Sequence, residues 1–248
     1  MKNKTIMIIG AGEGQLPAII SANNNNFNVV VIDKNENSIG MEYAEFAYPI
    51  DVLDFEEALK IALKHDIDGV FTMQTDIAVP TVGYINDQLK LGGSGLKVSE
   101  NCSNKIKTRK LLKLKDVPQP KFSVIEKKEE IASAIKKIGY PCVFKAPDSS
   151  GSRGIVKVNR YSDINSAYDE AMKYSRINKI LIEEYVAGIE IGAQTFSVNG
   201  KCVKVLLHND YLSKPPYMIP IGHSFPFLTL DSNQNTFIKN SITNAVES

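Results

Sequence analysis

The sequence has no tryptophan and only three cysteines and three histidines in 248 residues. Each scarcity narrows the reading. Cys102, Cys142 and Cys202 lie far apart, with neither metal-ligand spacing nor a disulfide framework. Each reads as a small buried hydrophobe, and a reduced cytoplasm is the simplest setting. No charge of one sign dominates: 29 Lys and Arg against 28 Asp and Glu leave +1. That balance offers no concentrated basic face for nucleic acid. No run approaches the roughly 18 apolar residues of a membrane span. The apolar stretch after Met1 is too short for a signal-peptide core and runs straight into glycines. Neither nucleic acid nor membrane is expected as a partner. What remains is ordinary globular material, 43% hydrophobic and 23% charged, long enough for two small domains or one large one.

Along the chain, short apolar runs alternate with amphipathic stretches. Thr5 to Ile9 reads as a strand, Gly10-Ala-Gly12-Glu-Gly14-Gln15 as a turn, and Leu16 to Ala22 as a helix. Asn28 to Asp33 follows as a second buried strand. Strand, helix and strand at this spacing form a βαβ unit and so a parallel sheet. A helix over 55–64, a strand over 69–73 and a helix over 77–89, with Pro80 in its first turn, extend the pattern. This α/β part is Rossmann-like. Asn104 to Lys115 is a basic helix whose Lys107, Arg109 and Lys110 read as a solvated face. Val117-Pro-Gln-Pro120 is a linker. Beyond it come strands at 122–125, 142–145, 155–158 and 180–186, with helices at 128–138 and 163–174. Asn199-Gly200 between alternating apolar residues marks a hairpin. Residues 210–220 read as a mobile loop and Phe237 to Val246 as a helix.

Three motifs carry chemistry. In the first, glycines bring a helix N-terminus close to an anion, and Asp33 stands about 20 residues on, where a ribose partner belongs. The dinucleotide fingerprint needs glycine at position 15, which is Gln15. Gly12 and Glu13 lie at the carboxyl end of the strand, where open sheets bind ligands. Asp76 reads as a cap for the helix that follows it. The second motif places Lys145 at a strand end, before the small-residue loop Ser149-Ser-Gly151-Ser-Arg153-Gly154 and another strand. Such a loop can fold over phosphates with its N–H groups as donors, while Lys145 supplies charge; a plain surface hairpin stays open as the alternative. In the third, an apolar strand ends in Glu183-Glu184-Tyr-Val186, with Glu190 seven residues after Glu183. A strand edge can offer C=O and N–H to a base, and a carboxylate can accept from both ribose hydroxyls. Solvated acids at a strand end are the alternative.

These pieces in this order resemble the ATP-grasp family, and the similarity runs over essentially the whole chain. The resemblance implies a Rossmann-like pre-ATP-grasp domain at 1–98 and a connecting helix and linker at 99–119. It implies an ATP-grasp lid subdomain at 120–182 and an incomplete start of the C-terminal subdomain, in an α+β arrangement, at 183–248. By resemblance Lys105 and Lys145 contact phosphates, and Ser150, Gly151, Ser152 and Gly154 form the lid loop. The adenine amino group meets the Glu183 side chain or the Glu184 carbonyl, its ring nitrogen meets the Val186 N–H, and Glu190 meets the ribose. Lys145 and Arg153 are the residues given a catalytic part, although for Arg153 a solvent-facing position is equally open. Gly12, Glu13 and His223 are expected at the substrate, with a structural role equally open for His223.

Within the family the resemblance is to carbamoyl-phosphate-synthetase-like ligases. It rests on Gly12-Glu-Gly-Gln15, Thr75-Asp76-Ile-Ala-Val-Pro80, Asn101-Cys-Ser-Asn-Lys105 and Gly222-His-Ser-Phe-Pro226. It implies an ATP-dependent ligase that makes an acyl phosphate from a small carboxylate, which an amine then attacks. ATP and Mg2+ are its cofactors. The family's magnesium carboxylates have no counterpart after Glu190, where Asp210, Asp231 and Glu247 form no such pattern. No residue is therefore assigned as a metal ligand. The chain is expected to be a fragment with little turnover alone, exposing apolar surface that favours a homo-oligomer. A non-catalytic nucleotide- or metabolite-binding module is the alternative, and an NAD-dependent dehydrogenase a third reading resting on the glycine turn.

Overall fold

A computed structural model describes residues 3–213 and 220–248. The chain forms two compact units, Met1–Asn104 and Lys105–Ser248.

The first unit contains β1 (Thr5–Ile9), α1 (Leu16–Asn24), β2 (Asn28–Ile32), β3 (Phe46–Tyr48), α2 (Phe55–Lys64), β4 (Gly69–Phe71), α3 (Val79–Leu89) and α4 (Leu96–Ser103). Its sheet runs β3-β2-β1-β4, with all pairings parallel. Successive side chains of a strand point to opposite faces, so the runs TIMII and NVVVI feed two layers at once. Met7, Ile9, Val30 and Ile32 pack with Ala58 and Ala62 of α2 and Ile85 of α3. Ile8, Val29 and Val31 pack with Ile19 and Ala22 of α1. Asp54 caps α2 by accepting from Glu57 N at 3.1 Å, and acids in its first turn with Lys64 in its last suit the helix dipole. The strand read over 69–73 ends at Phe71, and the helix read from Ile77 starts at Val79. Asp76 contributes its carbonyl, not its carboxylate, to that start (Val79 N to Asp76 O, 3.3 Å).

The second unit opens with α5 (Lys105–Leu114), β5 (Phe122–Ile125), α6 (Ile131–Ile138), β6 (Cys142–Lys145), β7 (Ile155–Val158), α7 (Ile164–Tyr174) and β8 (Ile180–Glu184). Its first sheet is antiparallel in the order β5-β8-β6-β7. One face is core: Cys142, Phe144, Ile180 and Ile182 pack under Ile131, Ala134 and Ile138 of α6 and Ala167 and Ala171 of α7. The opposite face carries Val143 and Lys145 from β6 beside Glu183 and Leu181 from β8, paired Val143 with Glu183 and Lys145 with Leu181.

A second sheet, β11-β10-β9, is built from β9 (Gly192–Val198), β10 (Lys201–Leu212) and β11 (Pro220–Ser224), and α8 (Ser232–Val246) packs on β10. Asn199 and Gly200 turn between β9 and β10 with φ of 50° and 74°, the two positive values a type I′ turn demands. Phe196, Val203, Leu206 and Ile221 of this sheet and Phe237 of α8 are exposed. Two boundaries differ from expectation. α8 starts at Ser232 because Asp231 accepts from Gln234 N at 2.9 Å and Gln234 accepts back from Asp231 N at 3.1 Å, a reciprocal cap. The stretch read as a loop from Asp210 begins in β10, because that strand continues to pair with β11; its residues 214–219 lie outside the described residues. Of the cysteines only Cys142 is buried, its thiol pushed up to about 11 by burial; Cys102 is exposed and Cys202 partly so.

Helices α3 and α4 meet across Gly83, where an added Cβ would lie 2.8 Å from Gly95 O and 2.3 Å from Ser99 Oγ. Gly83→Ala is expected to destabilise the first unit by about 1–3 kcal/mol, as overpacking does. The check is a lowered denaturant midpoint with an unchanged slope.

Candidate functional site

The face of the β5-β8-β6-β7 sheet away from α6 and α7 is polar at one place. The side chain of Glu183 is 3% exposed, yet it is a carboxylate. Arg109 of α5 donates from Nε to Oε1 at 2.5 Å and from Nη2 to Oε2 at 3.3 Å. Lys145 donates from Nζ to Oε2 at 2.5 Å. The strand register explains the second contact. Lys145 is the diagonal neighbour of Glu183 on the same face, within reach of a long side chain. Burial is the strongest single influence on the Glu183 carboxyl and pushes it up. The two cations together outweigh it and hold the group below the usual carboxylate range. Lys145 and Arg109 stay 22% exposed, so the assembly presents positive charge outward from an anchored base.

The loop after β6 is fixed at its foot. Ala146 N donates to Gly154 O at 2.8 Å, closing it, while Lys105 donates from its backbone N to Pro147 O at 2.8 Å and from Nζ to Ser149 O at 2.5 Å. Arg176 N donates to Asp148 Oδ2 at 3.1 Å. Gly151, Ser152 and Gly154 have φ of 64°, 59° and 68°, the left-handed conformation that turns successive N–H groups toward an anion. Ser149 is buried and Ser150 partly so. Arg153 is exposed and donates from Nε to Ser150 O at 3.1 Å, within its own loop.

Past Glu184, whose N donates to Lys121 O at 2.9 Å, the strand ends; Tyr185 N donates to Pro141 O at 3.2 Å and Lys157 stacks on the Tyr185 ring at 3.6 Å. Val186 and Glu190 are exposed on the segment that follows. Both carboxylate oxygens of Glu183 are engaged, which leaves the Glu184 carbonyl as the available one of the two adenine partners read from the sequence. Arg109 corrects the solvated-face reading of α5. It lies one turn on from Lys105, and that i, i+4 spacing places both on one side of the helix. His223 lies apart from this cluster, its Nδ1 2.6 Å from Asp210 Oδ1.

In the first unit the glycine turn is closed by side chains. Gln15 is buried, accepts from Gly12 N at 3.1 Å and donates to Met73 O. Asp33 accepts from Ala11 N at 2.8 Å and from Asn35 N at 2.9 Å. The carboxylate read as a ribose partner therefore holds the turn, and Gln15 occupies a donor that a dinucleotide phosphate would use. Gly12 is partly buried and Glu13 exposed.

The structure thus brings together a lysine anchored at a strand end, an N–H-rich loop and an acidic strand end. The protein family described as D-ala D-ala ligase C-terminus matches residues 111–213. The chain is 29% identical over 196 residues to a formate-dependent phosphoribosylglycinamide formyltransferase of Saccharolobus solfataricus, covering 74% of this chain and 47% of that protein. Among solved structures, an L-amino acid ligase from Bacillus licheniformis has a TM-score of 0.76 at 23% identity, over 99% of this chain and 60% of that one. An N5-carboxyaminoimidazole synthetase from Staphylococcus aureus, complexed with ADP, has a TM-score of 0.77 at 17% identity, over 100% of this chain and 64% of that one. The family match covers residues 111–213, and the solved structures share the fold of essentially the whole chain. It spans about half the length of the curated relatives it matches.

Removing one partner of a buried ion pair strands the other charge. Arg109→Ala is therefore expected to cost about 3 kcal/mol or more, and Arg109→Ala combined with Glu183→Gln to cost less than the sum of the two. The Glu183 carboxyl is depressed in the fold, so its contribution is whole above the free value of about 4.3 and is lost as pH falls through the lower folded value. Denaturation midpoints at pH 6 and pH 3 are expected to fall further for the parent chain than for Glu183→Gln.

Proposed function

We propose that this chain is the ATP-binding part of an ATP-dependent carboxylate–amine ligase. The observation that carries the reading is the Glu183-anchored Lys145 beside a loop tied down by Lys105. In this reaction a carboxylate oxygen of the substrate attacks the γ-phosphorus, the bond to ADP breaks, and an acyl phosphate forms. The amine nitrogen then attacks the acyl carbon, phosphate leaves, and the nitrogen loses a proton. The protein's part is positioning and charge. Lys105, Lys145 and Arg153 offset phosphate charge. The N–H groups of Ser150, Gly151, Ser152 and Gly154 cover the phosphates. The Glu184 carbonyl and Val186 N–H frame the adenine, Glu190 takes the ribose hydroxyls, and Gly12 and Glu13 face the substrate.

The finer reading, a carbamoyl-phosphate-synthetase-like enzyme, rests on the motifs around Gly12, Asp76, Lys105 and His223, and the cytoplasm as its setting on the scattered cysteines. Association of copies through the exposed face of β9 and β10 belongs to the same reading. Magnesium would serve as a counter-ion to the phosphates, bound through one or two carboxylates. The late acids do not fit that cradle: Asp231 caps α8, Glu247 accepts from Cys202 N at 2.9 Å, and Asp210 faces two histidines.

Calorimetric titration with ATP and magnesium, and separately with NAD, tests the class; heat is expected with ATP alone, and heat with NAD alone would overturn it. Glu190→Ala is expected to weaken ATP about tenfold, the loss of a hydrogen bond to a charged group, and to leave pyrophosphate binding unchanged. Equal losses for both ligands would remove the ribose role.

A further inference from the structure

His208, Asp210 and His223 form a cluster on β10 and β11. His208 and Asp210 stand two apart on β10 and so share a face, and His223 on β11 is paired directly with Asp210. One donor atom from each lies within 4.8 Å of the others. His223 Nδ1 is 2.6 Å from Asp210 Oδ1 and His208 Nδ1 is 2.9 Å from the same oxygen.

The second of these contacts is informative. The His208 side chain is 4% exposed, and among the described residues its Nδ1 has no hydrogen-bond partner, although Asp210 Oδ1 lies 2.9 Å away. A buried polar atom left in that state is costly. The surroundings are shaped around the ring. Gly192 of β9 pairs with His208, and a Cβ there would lie 2.0 Å from His208 Cε1. Phe225 stacks at 5.0 Å and the His223 ring stands edge-on at 4.8 Å. Only a residue without a side chain leaves room for the imidazole, so His208 is held against Asp210 and His223.

We infer that His208, Asp210 and His223 form a binding site for a divalent transition-metal ion of the zinc type. Two imidazole nitrogens and one carboxylate oxygen are borderline donors that suit zinc, and they are a poor match for magnesium or calcium, which take oxygen. At zinc bond lengths of about 2.0–2.1 Å, tetrahedral donors stand about 3.3 Å apart. The two histidine nitrogens would each draw back from Asp210 Oδ1 by roughly half an ångström to admit the ion. His208 Nδ1 then gains the partner it lacks. His223 is 48% exposed, so a fourth position faces solvent and can hold water or an anionic oxygen. This site is independent of the ATP reading.

The test is calorimetric titration of the full chain with Zn2+ alone, without nucleotide, and with Co2+ followed by its visible absorption. One ion per chain is expected, with the absorption of a nitrogen- and oxygen-ligated tetrahedral cobalt. His223→Ala, at an exposed position, and Asp210→Asn are each expected to weaken Zn2+ by about tenfold or more, with far-ultraviolet circular dichroism unchanged. His65→Ala and Cys202→Ser are expected to leave it unchanged. Zn2+ affinity that survives both His223→Ala and Asp210→Asn, or that follows Cys202, would overturn the assignment.

Discussion

A carboxylate buried beside two cations is the constraint on which the second unit depends. Glu183 cannot be charged at 3% exposure without compensation, and Arg109 and Lys145 together outweigh the cost of burial. Meeting that demand joins a helix and two strands that are distant in sequence, α5 with β6 and β8. One negative charge against two positive ones leaves a surplus at a place whose geometry is already fixed. Cations held in this way need no rearrangement, which is the condition under which charge stabilisation is most effective.

Much of this frame was legible in the sequence. Cys142 to Lys145 and Ile155 to Val158 read as strands around a small-residue loop, and they are β6 and β7 with those bounds. Alternation and turn residues are local signals, and local signals survive folding. The partner of Glu183 was not legible. Arg109 is 74 positions away, and a basic helix in isolation looks like a solvated face. Gln15 was seen as a flaw in a glycine fingerprint; its role in filling the turn and holding Met73 depends on β4 lying beside β1. The early start of α8 was written in Asp231 and Gln234, a capping pair outweighed by the apolar pattern that begins at Phe237.

The two polar clusters of the second unit show contrasting uses of burial. Around Glu183 every charged oxygen is answered, and the result is a rigid platform. Around His208 the packing is equally tight, with Gly192 yielding its side-chain space, but one nitrogen goes unanswered. Histidine pairing across β10 and β11 could not be read from spacing alone, since thirteen positions separate Asp210 from His223 and only the strand register makes them opposite.

That dependence on register extends to the first sheet of the second unit. Side chains alternate along a strand, so sliding β6 by one residue against β8 would turn Lys145 into the helix-covered layer and Phe144 toward water. The misaligned hairpin would then carry an unanswered lysine in its core and an unanswered Glu183 opposite. Only one alignment closes the charge triangle and the apolar layer together. The three side chains of the charge triangle thus proofread the assembly of the sheet that displays them.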